Sequence, residues 1–413
     1  MTMSQSTAKL KVDSIEVALD AIAHGRMVVV MDDEDRENEG DLIMAAEFAT
    51  PQAMAFMVRW TSGVLCVGLP GERLQALDLP LMVQANDDAM GTAFTVTVDL
   101  RHGTTTGISA ADRALTVQAL VDPDVTASDL RRPGHLFPLR AMPGGVLQRP
   151  GHTEASVDLT RLAGLEPGGV LAEIVNDDGS MARGPQLVDF ARTHGLPIIT
   201  IRDLIAYRRR HEQRVERCSC ARMPTRHGAF TAHVYVDRLT GIEHVAMVMG
   251  DISRQPDVLV RVHSECLTGE VFGSLRCDCR PQLDLALQRV AQQGSGAVVY
   301  LRGHEGRGIG LTHKLRAYAL QDEGCDTVQA NLALGRQVDE RDYTVGAQIL
   351  RDLGVSRMRL MTNNPLKYEG LSNHGLVIVE RVPLVTPPTR DNEPYLRAKQ
   401  RSLGHTLGLR VPA

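Results

Sequence analysis

The chain has little aromatic character. Phe, Trp and Tyr make up 4 % of its 413 residues, with a single tryptophan, which argues against the stacking platforms that hold single-stranded nucleic acid. No apolar run approaches the roughly 18–20 residues that span a bilayer. Met1 to Lys11 is polar and lacks an apolar stretch, so export is not expected and a cytoplasmic location is. Lysine is rare as well. Residues 209–413 contain only three, against the clustered lysines and aromatics expected of a nucleic-acid-binding zinc module. Seven cysteines without an export signal point to thiols or metal ligands rather than disulfides. Neither nucleic acid nor membrane is an expected partner.

What is present fits a globular chain, with 43 % hydrophobic and 23 % charged residues. Its length suits two domains of about 200 residues rather than one core. A highly charged stretch runs from Arg202 through Arg217 to the Cys218-Ser-Cys220 pair, between two regions rich in glycine and β-branched residues. It places the boundary near 205–222 and the domains at 1–208 and 209–413. Charge divides unevenly. The first part carries 17 basic and 28 acidic residues, a net of −11, and the second 28 and 22, a net of +6. A polyphosphate ligand and ordinary surface variation both account for the basic half.

Short apolar runs predict strands at Met27–Met31, Val64–Leu69, Phe94–Val98 and Ile198–Ile201, then at Val258–Val262, Ala297–Leu301, Arg357–Met361 and Val377–Val379. Helical spacing predicts helices at Asp13–His24, Ser109–Leu120, Leu187–His194, Gln282–Gln293, Thr312–Glu323 and Tyr343–Leu353. Each domain is therefore expected to be α/β, a mixed sheet packed with helices.

The sharpest feature of the first half is Asp32-Asp-Glu-Asp-Arg-Glu-Asn-Glu-Gly-Asp41, seven carboxylates in ten residues directly after a predicted strand. Such a run is either a solvated loop or a site for a hard cation, for which one or two carboxylates suffice. Arg132-Pro-Gly-His135 and Arg149-Pro-Gly-His-Thr153 each place a histidine after a predicted Pro-Gly turn. Arginine and threonine beside a glycine turn suit a phosphate. Thr104 to Arg113, rich in hydroxyls and entering a helix, is another candidate anion site. Glu173 ends a strand-like run. Taken singly, each of these segments reads as a structural turn before it reads as a site.

Together they resemble the 3,4-dihydroxy-2-butanone 4-phosphate synthases over about residues 12–208. The resemblance implies conversion of ribulose 5-phosphate to 3,4-dihydroxy-2-butanone 4-phosphate and formate with Mg²⁺ or Mn²⁺. It makes Glu37 and His152 the metal ligands and gives His135 and Glu173 catalytic roles. Arg36, Glu37, Asp41, Glu173 and the stretch Arg149, Pro150, Gly151, His152 and Thr153 would bind the substrate. That chemistry moves protons beside a carbonyl, which suits a metal with histidine and carboxylate acids and bases.

In the second half Cys266, Cys277 and Cys279 follow a Cys-x₁₀-Cys-x-Cys spacing. Three thiolates suit a zinc ion with an open fourth position, or a structural zinc completed by a histidine such as His263. Downstream, the glycine-rich Arg302-Gly-His-Glu-Gly-Arg-Gly-Ile-Gly-Leu311 follows a predicted strand and leads into a helix. Its backbone N–H groups and arginines suit phosphates.

Arg-Val-His-Ser-Glu-Cys266, Leu-Arg-Cys277-Asp-Cys, the glycine-rich segment, Val-Asp339-Glu-Arg-Asp-Tyr and Leu-Met-Thr362-Asn-Asn-Pro resemble GTP cyclohydrolase II over about residues 226–407. The resemblance implies hydrolysis of GTP to 2,5-diamino-6-ribosylamino-4(3H)-pyrimidinone 5′-phosphate, formate and diphosphate, with Zn²⁺ on the three cysteines. GTP contacts would fall on Arg261, Val262, His263, Ser264, Glu265, Gln282, Glu305, Gly306, Arg307, Thr327, Thr362 and Lys367. Asp339 would accept a proton, Arg341 would be the nucleophile or act electrostatically at the α-phosphate, and Tyr318 would assist. Dimers are implied for each half, so a homodimer or larger homo-oligomer is expected. One departure is Arg280, where the family has glycine. A positive φ there would cost about 1–2 kcal/mol. The alternative, a second half kept as a nucleotide-binding regulatory module, has only Arg280 in its favour. Cys218, Cys220 and Cys325 carry no expected role.

Overall fold

The computed structural model describes residues 11–253, 255–325, 327–335, 341–372, 374–402, 404, 406 and 407. The chain forms two compact units, Met1–His211 and Glu212–Ala413. No helix among the described residues is long and apolar enough to cross a membrane.

The first unit contains strands β1 (Val28–Met31), β2 (Gly40–Ala45), β3 (Cys66–Leu69), β4 (Val98–Leu100), β5 (Leu130–Arg140), β6 (Gly169–Glu173) and β7 (Ile198–Thr200). Its helices are α1 (Ile15–Ala23), α2 (Pro51–Trp60), α3 (Gly71–Ala76), α4 (Ala110–Val121), α5 (His152–Leu162), α6 (Pro185–His194) and α7 (Ile201–His211). The strands order β4-β5-β3-β6-β2-β1-β7, with β1 antiparallel to β2 and parallel to β7. Side chains of β1 alternate between two cores. Val29 and Met31 meet Met54, Val117 and Leu187 from α2, α4 and α6, while Val28 and Val30 meet Ala18, Leu159 and Leu204 from α1, α5 and α7. Burial on both faces explains why these strands read as continuous apolar runs rather than alternating ones. Helix ends follow local chemistry. Thr50 caps α2, with Pro51 in the first turn, Ser109 caps α4, and Gly195 ends α6 at φ 65°.

The second unit has strands β8 (Val215–Thr225), β9 (Gly228–Asp237), β10 (Glu243–Met249), β11 (Val258–Ser264), β12 (Gly296–Leu301), β13 (Arg357–Met361) and β14 (Val377–Val382). They order β14-β13-β11-β12-β10-β9-β8. Its helices are α8 (Leu267–Glu270), α9 (Cys279–Gln293), α10 (Gly310–Asp322), α11 (Thr327–Ala333), α12 (Thr344–Asp352), α13 (Pro365–Ser372) and α14 (Glu393–Ser402). Val260 and Val262 of β11 join the core with Ile349 and Leu350 of α12, and Leu259 joins Ala286 and Val290 of α9 on the other face.

Three sequence expectations change. Phe94–Val98 is not a strand; Phe94 makes a single bridge to Leu139, and the paired segment is Val98–Leu100. Arg132–His135 is not a turn but lies inside β5. Gly134 serves close approach there, since a Cβ would sit 2.0 Å from the Val98 carbonyl carbon. Thr104–Arg113 is not an open anion site, because the Asp112 carboxylate already accepts from the N–H groups of Thr105 and Gly107 and the Thr105 hydroxyl. Those hydrogen bonds, the Thr105 hydroxyl's first, lower Asp112 to about 2.

Candidate functional sites

In the first unit β1 ends at Met31, and the acidic loop returns the chain into β2. Asp32 organises that loop, accepting from the N–H groups of Glu37 (3.1 Å) and Glu39 (2.9 Å) and from Arg36 Nη1 (2.9 Å). The loop passes through a left-handed Asn38 at φ 56°. The β2–β6 register sets Asp41 opposite Glu173. His152, the first residue of α5, completes the group: Asp32, Glu37 and His152 each offer a ligand atom within 4.8 Å of the others.

The imidazole is oriented. His152 Nε2 donates to the Val30 carbonyl at 3.1 Å, which turns Nδ1 toward Glu37 Oε2 and Asp41 Oδ1, each 3.7 Å away. A backbone carbonyl fixing one ring nitrogen while the other faces a carboxylate is the usual support of a metal-binding histidine. Asp41 Oδ1 is buried without a hydrogen bond among the described residues. These donors therefore fit a hard divalent cation on Glu37 and His152. Burial disfavours the charged imidazole, but Asp41, Glu37 and Asp32 outweigh it and raise His152 to about 9. The hydrogen bond from His152 lowers Glu37 to about 2, and burial lifts Asp41 to about 7.

Two guanidinium groups lie beside this cluster. Gly151 is the N-cap of α5, and a Cβ on it would fall 2.4 Å from Arg149 Nη1, 2.9 Å from Glu154 Oε2 and 3.0 Å from Arg36 Nη2. Two guanidinium groups thus converge on a helix N-terminus that only glycine leaves open. Arg149 is held by Glu154 (2.6 Å) and Thr92 (3.1 Å). Arg36, Glu37, Asp41, Arg149, His152, Thr153 and Glu173 line one cavity with Cys66 and Thr92, which the sequence did not suggest. Neither Pro150 nor Gly151 lines it. His135 stands apart from this cavity, its Nδ1 2.7 Å from Asp99 Oδ2.

In the second unit a cavity open to solvent is walled by α9, α10, α11, α13, α14 and the glycine-rich loop. Cys266 follows β11, and Cys277 and Cys279 flank the start of α9. The three sulfurs lie within 4.8 Å, with Cys266 and Cys277 3.6 Å apart. Zinc–sulfur bonds of about 2.3 Å at tetrahedral angles separate sulfurs by about 3.8 Å, so the set fits zinc. Hydrogen bonds from Cys277 and Cys279, then the Lys314 ammonium at 3.1 Å, hold Cys266 far below the ordinary thiol range. The negative sulfur pushes Cys277 up to about 11 and Cys279 well up. All three ionise together only when a cation offsets their charge.

His263 does not complete the metal set. Its Nε2 meets Glu270 Oε1 at 2.6 Å, and its ring stacks on Tyr300, whose hydroxyl donates to the same Glu270. Burial lowers His263 to about 4, so it is neutral at pH 7. The cysteine cluster has no fourth protein ligand among the described residues, as a catalytic zinc site requires.

Arg261, His263, Ser264, Glu265, Gln282, Glu305, Gly306, Arg307, Tyr318, Arg341, Thr362 and Lys367 all line the cavity. Val262 is buried in the core instead, its carbonyl accepting from Lys367 Nζ at 2.9 Å. Arg307 adopts φ 68°, a conformation costing about 1 kcal/mol for a non-glycine residue, and presents its side chain to the cavity. Glu305 is fixed by Lys314 (2.5 Å) and the Leu267 N–H (2.6 Å). Arg341 donates to Ser264 Oγ at 3.3 Å and lies over the Tyr343 ring. Thr327 begins α11, and Asp339 lies outside the described residues. Arg280 sits in the first turn of α9 without positive φ, exposed, so the backbone cost does not arise. Cys218 and Cys220 are exposed on β8.

Sequence reading missed Lys314, Lys399, Glu270 and Asp278. The lysines had a signal: all three of the second half, Lys314, Lys367 and Lys399, are buried and line this cavity, while its arginines dominate elsewhere.

The family model for 3,4-dihydroxy-2-butanone 4-phosphate synthase matches residues 16–207, and that for GTP cyclohydrolase II matches residues 216–383. A bifunctional riboflavin biosynthesis protein of Arabidopsis thaliana is 59 % identical over 399 residues, covering 96 % of this chain and 74 % of that protein. The riboflavin biosynthesis protein RibBA of Nocardia farcinica is 61 % identical over 397 residues, 96 % of each chain. Among solved structures, a two-domain 3,4-dihydroxy-2-butanone 4-phosphate synthase, RibBX from A. baumannii, is similar at TM-score 0.67 and 38 % identity, over 90 % of this chain and 99 % of that one.

Proposed function

Because the chain belongs to the bifunctional riboflavin biosynthesis proteins, a 3,4-dihydroxy-2-butanone 4-phosphate synthase joined to a GTP cyclohydrolase II, we propose that its two cavities are the two active sites. Ribulose 5-phosphate occupies the first and GTP the second.

In the first site the Arg36 and Arg149 guanidinium groups and the N-terminus of α5 at Gly151 hold the sugar phosphate. Glu37 and His152 hold Mg²⁺ or Mn²⁺, which would stabilise negative charge on substrate oxygens. Asp41, lifted to about 7 by burial, and Glu173, fixed by the Ser62 hydroxyl at 2.7 Å, exchange protons with substrate carbon and oxygen. His135, oriented by Asp99, serves the same reaction by family resemblance.

In the second site Cys266, Cys277 and Cys279 hold Zn²⁺, which would acidify a bound water to supply hydroxide for attack at C8 of guanine. Arg307, Arg341 and Lys367 supply positive charge toward the triphosphate. Arg341 acts at the α-phosphate, held by Ser264 and Tyr343, and Asp339 accepts a proton. Tyr318 stays protonated because burial raises its pKa, leaving the hydroxyl a donor. The seven free cysteines suit a reducing cytoplasm.

The observation that carries the less familiar half is the three-cysteine cluster with no fourth protein ligand among the described residues, inside a cavity lined by three lysines. It speaks against a purely regulatory second unit. The test is zinc-dependent release of formate and diphosphate from GTP by the full chain, with the pyrimidine product identified by mass spectrometry. No turnover in protein holding one zinc per chain would overturn the reading.

A further inference from the structure

The GTP cyclohydrolase II model ends at residue 383, yet α14 (Glu393–Ser402) lies beyond it and reaches the cavity. Tyr395 and Lys399 both line the wall, with Lys399 Nζ 4.3 Å from the centre of the Tyr395 ring. Lys399 is 8 % exposed and donates to Asp278 Oδ1 at 2.9 Å; Asp278 is 2 % exposed. Asp278 stands between Cys277 and Cys279 in the chain. Its other oxygen accepts from Gln282 Nε2 at 2.5 Å, and Gln282 Oε1 accepts from Arg261 Nη2 at 2.8 Å. A single line of hydrogen bonds therefore runs from the C-terminal helix through the metal loop to two residues that face the nucleotide.

That line has a direction. A carboxylate only accepts and a guanidinium only donates, so Asp278 and Arg261 together allow Gln282 one amide orientation. Lys399 Nζ supplies the charged hydrogen-bond partner of a buried side chain, and removing one partner of such a buried pair is strongly disruptive. Lysine is spent sparingly in this unit, and each of its three copies is in this cavity.

We propose that α14 is a working wall of the nucleotide site and that Lys399 is a positioning residue. By holding Asp278 it fixes the Cys277–Cys279 turn and the orientation of the Gln282 amide. The proposal rests on the GTP reading above and extends it to α14, beyond residue 383 where the family model ends.

The test uses the full chain and four proteins: wild type, Lys399→Met, Lys399→Arg and the neutral pair Asp278→Asn with Lys399→Met. Steady-state kinetics, calorimetric affinity for a non-hydrolysable GTP analogue and zinc retention against a competing chelator are measured, with thermal unfolding as the control for folding. Lys399→Met is expected to raise the GTP KM and weaken analogue binding about tenfold, with kcat changed less and zinc lost more readily. Lys399→Arg recovers most of the affinity. The neutral pair carries no buried charge, so it folds even if Lys399→Met does not. It keeps the affinity defect, because the hydrogen bond that ties α14 to the Cys277–Cys279 turn is gone.

Wild-type affinity and zinc retention in Lys399→Met, or wild-type affinity in the neutral pair, would overturn the positioning role. So would an Lys399→Arg protein no better than Lys399→Met. Absence of GTP turnover in the zinc-loaded wild type would instead sink the assignment of the reaction, and analogue affinity would still decide the part played by Lys399.

Discussion

The two sites solve one electrostatic problem with opposite materials. In the first unit acids crowd a cluster that would suit a hard cation, and two arginines gather at a glycine-capped helix start where a phosphate would be held. In the second, three thiols lie beside Lys314 and would take a soft cation, while buried lysines and arginines line the remaining wall. Oxygen donors leave a hard metal partly hydrated and free to bind substrate oxygens. Thiolates bind zinc tightly and leave one coordination position open. Donor chemistry thus separates the two reactions within one chain more sharply than fold does, since both units are mixed seven-stranded sheets with helices on both faces.

The separation breaks most visibly at a ligand. Cys277→Ser is expected to lower GTP turnover by about 10³-fold or more while ribulose 5-phosphate turnover survives, as read by formate release from each substrate. Loss of both activities would end the picture of independent sites. In the other direction, Glu37→Gln is expected to cost about 10²–10³-fold in ribulose 5-phosphate turnover, with GTP turnover unchanged in the same preparation.

A smaller effect sharpens the contrast through pH. Metal-free His152 is raised to about 9 and must lose its proton to bind a cation. Mg²⁺ affinity should therefore climb about tenfold per pH unit from pH 7 toward 9 and then level off, with proton release visible by calorimetry in buffers of different ionisation enthalpy. The same raised value means that His152 adds stability to the metal-free fold below its unfolded value near 6.5. That contribution is lost as pH rises through about 9. A flat affinity profile would contradict the assignment of His152 as a ligand. The smallest effect is at Arg280: exposed and right-handed, it should tolerate Arg280→Gly with GTP kcat/KM changed less than about twofold.

These contrasts were unequally legible in the sequence. Contiguous features survived because local chemistry sets them: the acidic loop, the Cys-x₁₀-Cys-x-Cys spacing, the glycine-rich loop and the helix starting after Ser109. What depended on partners distant in sequence did not. Pro133-Gly134 suggested a turn, but it lies within β5, in the irregularity between Arg131 and Leu136 that both pair with β4, and the missing side chain serves contact with Val98. Asp41 looked like the last acid of a loop, whereas the β2–β6 register buries it opposite Glu173. Asp99 gave no sign of holding His135, which lies 36 residues away. Lys399 was hidden differently, in a helix beyond any recognisable motif, and only the scarcity of lysine marked it.

The most direct test of two sites with opposite metal preference is a restoration experiment. The purified chain is stripped of metal, given ribulose 5-phosphate and GTP together, and supplied with Zn²⁺ alone, Mg²⁺ alone or both, with products separated by mass spectrometry. Restoration of the pyrimidine requiring Zn²⁺, and of the butanone phosphate requiring Mg²⁺, is the expected result. One metal reviving both reactions, or the pyrimidine appearing with Mg²⁺ alone, would contradict it.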